Sequence, residues 1–256
     1  MPEICALVDY DNQRQGVFRS GRPGAIVASY RDHEEYIRAL IAGLLTFRKH
    51  PEHRLFGAFA ELRIRLYGGW LTSDGAYTEM ADMVLKAISN IGASQRSSDT
   101  RVFLELADRL LTMSDEAFSG TMRKTPWPGA RLEFRNLSGP CRHGAPCSNV
   151  MSGLLWASGR CPDRATCSER TENVFLVQTQ KLVDTMIASD AFLAHHLKAD
   201  EILAVSMDDD IVPCALAVSS MGGPISVLRF GRVNVGLYDR MLRQHGVPLI
   251  DMPSLG

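Results

Sequence analysis

Long apolar runs are missing from this sequence: no stretch approaches the ~18 apolar residues that a membrane-spanning helix requires, so no membrane partner is expected. The opening residues, Met1-Pro2-Glu3-Ile4-Cys5-Ala6-Leu7-Val8-Asp9, carry neither the basic n-region nor the long apolar h-region of a secretory signal. A cytoplasmic location is therefore the expectation. Excess charge of one sign is missing as well, since 28 Lys and Arg stand against 29 Asp and Glu for a formal net charge of −1. The chain as a whole thus lacks the basic footprint of a nucleic-acid binder. That does not exclude one, because the acids of a metal site offset basic groups in the sum. Arg14 to Arg31, Arg63-Ile64-Arg65 and Arg123-Lys124 are locally basic, and each reads equally as a phosphate-gripping stretch or as a solvated face. Internal repeats and low-complexity tracts are absent too. What is there, 256 residues with 45% hydrophobic and 22% charged, is enough to bury a substantial core and excludes disorder as the expectation.

Cysteine is scarce and unevenly placed. Of six, Cys5 and Cys214 sit inside apolar runs and read as small core residues. The other four lie together between positions 141 and 167, and in a cytoplasmic chain such clustering points to a metal more than to disulfides.

Three aliphatic runs, Ile4 to Val8, Ile202 to Val205 and Ile225 to Phe230, read as buried strands. A fourth, Leu62 to Leu66, carries alternating arginines. Apolar residues recur at three- and four-residue spacing over Tyr36 to Phe47, Tyr77 to Ile91, Val102 to Leu111 and Gln180 to Leu197, which predicts helices. Strands alternating with helices imply a central parallel sheet covered on both faces, an α/β fold. Asp74-Gly75 and Gly222-Gly223-Pro224 mark turns, and the polar run Ser94 to Asp99 reads as a loop between two helices. Thr125 to Glu172 differs in kind, being rich in Pro, Gly, Cys and Arg, with little periodicity beyond a strand-like stretch at Ala130 to Phe134. It reads as an insertion over 125–172 within a single domain spanning 1–256.

The chemistry is suggested by where the acids fall. Ligands of open α/β sheets bind outside the carboxyl ends of strands. Asp9, Asp11 and Asn12 follow the first predicted strand, and Asp208, Asp209 and Asp210 follow the run Ile202 to Val205. Asp184 lies near the start of the helix expected from about Gln180, with Asp190 about a turn and a half further on. Several carboxylates in one cleft repel one another until a proton or a cation relieves them. Oxygen-only ligands favour Mg²⁺ or Mn²⁺ over zinc, and such an ion polarises a phosphoryl oxygen and lowers the pKa of water. Plainer roles exist for each piece. Asp11 and Asn12 suit an Asx-turn, Asp184 suits a helix dipole, and Asp208 to Asp210 suit an N-terminal cap for a helix from Ile211. Capping accounts for each separately and predicts no convergence.

These residues also resemble a known family. Leu7-Val8-Asp9-Tyr10-Asp11-Asn12 resembles the opening motif of NYN domains, an apolar strand ending in Asp with Asn three residues on. Gln180-Lys181-Leu182-Val183-Asp184, with Asp190 six residues later, is similar to the family's Lys-x-Val-Asp helix. Ser206-Met207-Asp208-Asp209-Asp210-Ile211-Val212-Pro213 is similar to its Ser-x-Asp-x-Asp-Phe-x-Pro motif, and Gly222 to Phe230 looks like its glycine turn and closing strand. The resemblance covers the first dozen residues, Arg63 to Gly75 and nearly everything from Gln178 onward, in order; the long middle is outside it. It implies a PIN-like, Rossmann-like fold and Mg²⁺- or Mn²⁺-dependent cleavage of RNA by an endoribonuclease, less often of other nucleic acids. Asp9, Asp184, Asp208 and Asp210 would then be the catalytic, metal-holding carboxylates, Asn12 a polar helper and Asp190 a secondary ligand. Ile211 replaces the usual Phe, and Asp209 and Asp11 are extra acids whose roles the family does not fix.

Cys141 and Cys147 are separated by five residues, as are Cys161 and Cys167, with thirteen between the pairs. Four thiolates in two pairs suit tetrahedral Zn²⁺, although the spacing is wider than the usual two to four; unpaired thiols on a loop are the alternative. His143 is either a substitute ligand or a bystander. A four-thiolate zinc would be structural, because its shell leaves no open position for water. Arg131, Arg135, Arg142, Arg160, Arg164 and Arg170 surround these cysteines, where they could grip phosphates without reading sequence.

Two rivals share the residues. In a haloacid-dehalogenase-like phosphatase, Asp9 would be the nucleophile, Asp11 the acid/base, Lys181 the stabilising lysine, and Asp208 with Asp209 the metal acids. Asn12-Gln13 departs from the expected continuation, and Asp184 and Asp210 are left without a task. The other rival is an RNA-binding or scaffold protein that kept the fold and lost turnover.

Overall fold

Glu3–Asp9 forms strand β1, and Ile4 to Val8 are buried on both of its faces, which is why that run is apolar without alternation. The chain continues through helix α1 (Tyr30–Arg48), β2 (Ala60–Tyr67), α2 (Glu79–Ile91), β3 (Ser94–Arg96) and β4 (Thr100–Leu106). After β5 (Met122–Pro126), β6 (Glu133–Phe134) and β7 (Phe175–Gln180) come α3 (Val183–His196), β8 (Glu201–Val205), α4 (Val212–Ser220), β9 (Ile225–Phe230), α5 (Leu237–Gln244) and β10 (Leu249–Met252). The computed structural model describes residues 2–11, 30–48, 60–96, 99–112, 116–126, 133–134, 175–180, 182–230 and 237–252. They fall into two units, Met1–Thr121 with Lys181–Gly256, and Met122–Gln180.

In the larger unit the sheet order is β10-β9-β8-β1-β2-β4-β3. Every pairing is parallel except that of the edge strand β3 with β4. Helices cover both faces. Ile4, Ala6 and Val8 of β1 pack with Ile37 and Leu40 of α1 and Val84 and Ile88 of α2. Their alternates Cys5 and Leu7 pack with Met186 and Ile187 of α3, Val212 and Val218 of α4, and Leu242 of α5. A side-chain period of two thus lets one strand serve two cores, and burying each aliphatic side chain contributes ~1.5–3 kcal/mol. Helix α2 shows the local logic: Ala81, Val84, Ala87, Ile88 and Ile91 form its buried stripe, and Thr78 caps it by accepting from the Ala81 amide at 3.2 Å. Asp74-Gly75 is a turn, with Gly75 at φ +83°, a conformation that favours glycine. No described helix is long and apolar enough to cross a membrane.

The smaller unit holds a three-stranded antiparallel sheet, β5-β7-β6, with β7 in the middle. The insertion expected over 125–172 falls within this unit, which starts at Met122 and ends at Gln180.

Four elements differ from the sequence reading. Val102 to Leu111, expected as a helix, begins as β4, whose burial alternates from Thr100 to Leu104. Apolar residues at 102, 103, 104, 106, 107, 110 and 111 satisfy both periods, and pairing with β2 decides for the strand. Ser94 to Asp99, expected as a loop, supplies β3, which turns back antiparallel onto β4. The helix expected from Gln180 starts at Val183, because β7 runs through Gln180 and Leu182 adopts a left-handed φ of 67°. The helix expected from Ile211 is preceded by a 3-10 turn over Asp209–Ile211 and begins at Val212.

Candidate functional site

From β1 the chain goes to one side, to β2 and β4, and later returns to the other side, to β8 and then β9. The strand order therefore reverses between β1 and β8, and the carboxyl ends of these two strands flank the place where open α/β sheets bind ligands. Val8 is in register with Val205, so Asp9 ends one strand where Ser206 follows the other. The two are joined: the Ser206 hydroxyl donates to Asp9 Oδ2 at 3.1 Å. Ser206 Oγ also accepts from the Asp208 amide at 3.0 Å, and Asp208 Oδ1 accepts from the Asp210 amide at 3.2 Å. A run of hydrogen bonds thus leads from Asp9 across the switch point into the acidic turn.

Each acid is held by its element. Asp9 is 3% exposed and is followed by Tyr10, whose ring is buried edge-on to Tyr36 and whose hydroxyl lies 2.6 Å from His33 Nδ1 on α1. Such packing leaves Asp9 little choice of direction. Asp208, half-buried and extended, caps the 3-10 turn as the sequence allowed, and Asp210 is exposed. Asp184 lies in the first turn of α3. It is exposed at the surface, where partial desolvation by its surroundings pushes its carboxyl above the ordinary carboxylate value and the charges of Asp208 and Asp210 push it the same way. The Asp184 carboxyl therefore lies within reach of the charges of Asp208 and Asp210, which separate capping roles do not predict. Asp11 is half-buried on the helical turn after β1.

Asp190 is engaged elsewhere. Its Oδ2 accepts from the Tyr67 hydroxyl at 2.6 Å and lies 3.6 Å from Arg65 Nε, and its Oδ1 accepts from the Leu111 amide at 2.9 Å. Burial still pushes its carboxyl above the ordinary value, against the hydrogen bond from Tyr67, the charge of Arg65 and the Leu111 amide. Arg65, itself buried, pairs with the buried Asp190 and with the part-exposed Glu105, so only Arg63 of that basic pair faces solvent. Asn12, Lys181, the four cysteines Cys141, Cys147, Cys161 and Cys167, His143 and the arginines around them lie outside the described residues.

Among the described residues, no three His, Cys, Asp or Glu side chains form a ready-made metal cage. The donor set at the switch point is nonetheless all carboxylate, with Asp184 raised by desolvation first and by the Asp208 and Asp210 charges second, and oxygen donors of this kind suit a hard divalent cation rather than zinc. Asp9, Asp184, Asp208 and Asp210 are the side chains that would hold it.

Sequence reasoning left Ser206, Arg229 and Asp239 without roles. Arg229 of β9 reaches Asp209 at 2.8 Å and Asp239 at 2.7 Å. The signal was legible: a lone arginine in the apolar run Ile225 to Phe230 needs a buried partner. Comparison with known proteins gives no matching family model, no matching curated protein and no matching solved structure.

Proposed function

We propose that this protein is a metal-dependent nuclease of the PIN-like NYN type, an endoribonuclease whose carboxylates hold Mg²⁺ or Mn²⁺ at the β1–β8 switch point. The observation that supports the reading is the linkage of Asp9 through Ser206 to Asp208, with Asp184, raised first by desolvation, also within reach of the Asp208 and Asp210 charges. Mg²⁺ or Mn²⁺, when bound, supplies Lewis acidity toward a phosphoryl oxygen and makes water a better nucleophile. The chain's own part is to hold four carboxylates at fixed positions on rigid strand and helix ends, and Asp9 is the most firmly held of them. The full-length protein with Mn²⁺ is expected to cut RNA internally, to stop on addition of EDTA, and to lose at least ~10²-fold in rate as Asp208→Asn. Equal cleavage by wild type and variant would overturn the assignment. RNA binding indifferent to both Mn²⁺ and the substitution would instead indicate a binding protein.

The phosphatase alternative needs Asp209 as a metal acid, and Asp209 is paired with Arg229. Phosphate trapped covalently on Asp9 would restore that alternative. The same proposal places a structural Zn²⁺ on Cys141, Cys147, Cys161 and Cys167. Elemental analysis is expected to find about one zinc per chain, lost when the four cysteines are changed to serine; a metal-free native protein would remove this part.

A further inference from the structure

The proposed chemistry leaves the middle acid of the turn, Asp209, unused. Its partner explains why. Arg229 has no exposed side-chain surface, and its guanidinium is forked between two carboxylates from different elements: Nη2 to Asp209 at 2.8 Å and Nη1 to Asp239, itself 3% exposed, at 2.7 Å. Leu228 is in register with Val205, so Arg229 follows the last β8–β9 pair, at the same end of the sheet as Ser206 and one strand removed from the switch point. Its Nε has no hydrogen-bond partner among the described residues. A buried ion pair with an unsatisfied N–H is a poor device for stability, since desolvation offsets most of the attraction. Its directional hold is what remains.

We infer that Arg229 is a positioning residue for the acidic turn: by fixing Asp209, it sets how the neighbouring Asp208 and Asp210 are presented to Asp9 and Asp184. Asp209 opens the 3-10 turn, in which successive side chains project ~120° apart, and Asp208 caps that turn by accepting from the Asp210 amide. Anchoring Asp209 therefore directs Asp210 through the turn and Asp208 through the cap. Asp239 on α5 completes the device by holding the second nitrogen, so that the guanidinium plane cannot rotate. A lysine, a point charge on a flexible stem, cannot grip both carboxylates in this planar way. Asp209 is in this view an anchor and not a metal ligand.

The inference rests on the nuclease reading for its consequence, and two readouts keep them apart. The first is Mn²⁺ binding to the metal-free full-length protein, followed by electron paramagnetic resonance of the free ion. Asp209→Asn and Arg229→Lys are expected to weaken it about tenfold, the usual effect of losing a group that orients a ligand, and to lower kcat with KM for RNA unchanged. Arg229→Met is expected to weaken it too. Tighter Mn²⁺ binding by Arg229→Met would mean that Asp209, once released, is itself a ligand, and would overturn the inference. The second readout needs no metal: amide hydrogen exchange at Asp210 and Ile211 should speed up in Asp209→Asn while exchange in β1 and β8 stays as in wild type. Since Asp209 is 34% exposed, that variant is expected to fold even if Arg229→Met does not. Wild-type exchange at both amides in Asp209→Asn would overturn the inference. Wild-type protein that neither binds Mn²⁺ nor cuts RNA, with exchange accelerated in the variant, would leave the positioning role standing and the nuclease reading fallen.

Discussion

Asp184→Asn is expected to cut the rate of RNA cleavage by ~10²–10³-fold while making the metal-free protein harder to unfold. The two effects have one cause. Partial desolvation and the charges of Asp208 and Asp210 raise the Asp184 carboxyl above its ordinary value of 3.8. A group whose pKa is higher folded than unfolded binds its proton more tightly in the folded state. The stability it contributes is fully present below the unfolded pKa and is lost as pH rises through the folded one. At neutral pH the ionised Asp184 therefore opposes folding, and either a neutral amide or a bound cation removes that opposition. Thermal midpoints measured without metal should thus separate as pH rises from below 3.8 toward neutrality, the Asp184→Asn protein lying higher. Adding Mn²⁺ should raise wild type more than the variant. A variant less stable than wild type at neutral pH without metal would mean that the carboxylates are not crowded, and the site would lose its physical basis.

How far this site could be read from the sequence depended on which residues act through neighbours in the chain. β1, β8 and β9 were legible because a strand buried on both faces must be largely apolar: Ile4 to Val8 and Ile202 to Val205 are so throughout, and only Ser226 and Arg229 interrupt Ile225 to Phe230. Asp9 and Asp208 were legible for a related reason: a carboxylate directly after such a run has to emerge at the strand's end. β4 was not, since its apolar spacing fits two periods and only its pairing with β2 chooses between them. The closeness of Asp184 to Asp208 and Asp210 is a tertiary fact, set by α3 lying over β1 and β8, and the sequence offered only the resemblance. Asp209 and Asp190 show the reverse limit. Both looked like members of the acidic set, and both are paired with buried arginines, Arg229 and Arg65, distant in sequence. An acid's neighbours along the chain say that it is near a strand end or on a helix; they do not say which cation has already claimed it.

That distinction is sharpest at Asp190, six residues from Asp184 on the same helix, where the expected result has the opposite sign. Asp190 is 1% exposed and accepts from Tyr67 and Leu111, with Arg65, 5% exposed, alongside. Asp190→Leu strands a buried hydroxyl and a backbone amide and leaves the buried Arg65 guanidinium with Glu105 as its remaining counter-charge. Removing one partner of a buried pair costs ~3–5 kcal/mol, which for a protein of this size is a fall of about 10 °C in thermal midpoint. Joining it with Arg65→Met should recover part of the loss, because the charge left without Asp190 goes with it, and the non-additivity measures the pair. Asp190→Asn keeps one acceptor oxygen, for the Leu111 amide, and its NH2 can donate to the Tyr67 hydroxyl oxygen, while the charge facing Arg65 is given up. Since burial already pushes the Asp190 carboxyl up, the change in midpoint near neutral pH is expected to be much smaller than for Asp190→Leu, with Mn²⁺-dependent cleavage per folded molecule unchanged. The two asparagine variants on α3 then separate a carboxylate held for a cation from one held for the core. Asp184→Asn loses cleavage, Asp190→Asn keeps it, and the loss of stability belongs to Asp190→Leu, which removes the Asp190 acceptors of both Tyr67 and Leu111. Cleavage lost in Asp190→Asn at unchanged midpoint would instead make Asp190 part of the metal set, and would require α3 to present both acids to one ion.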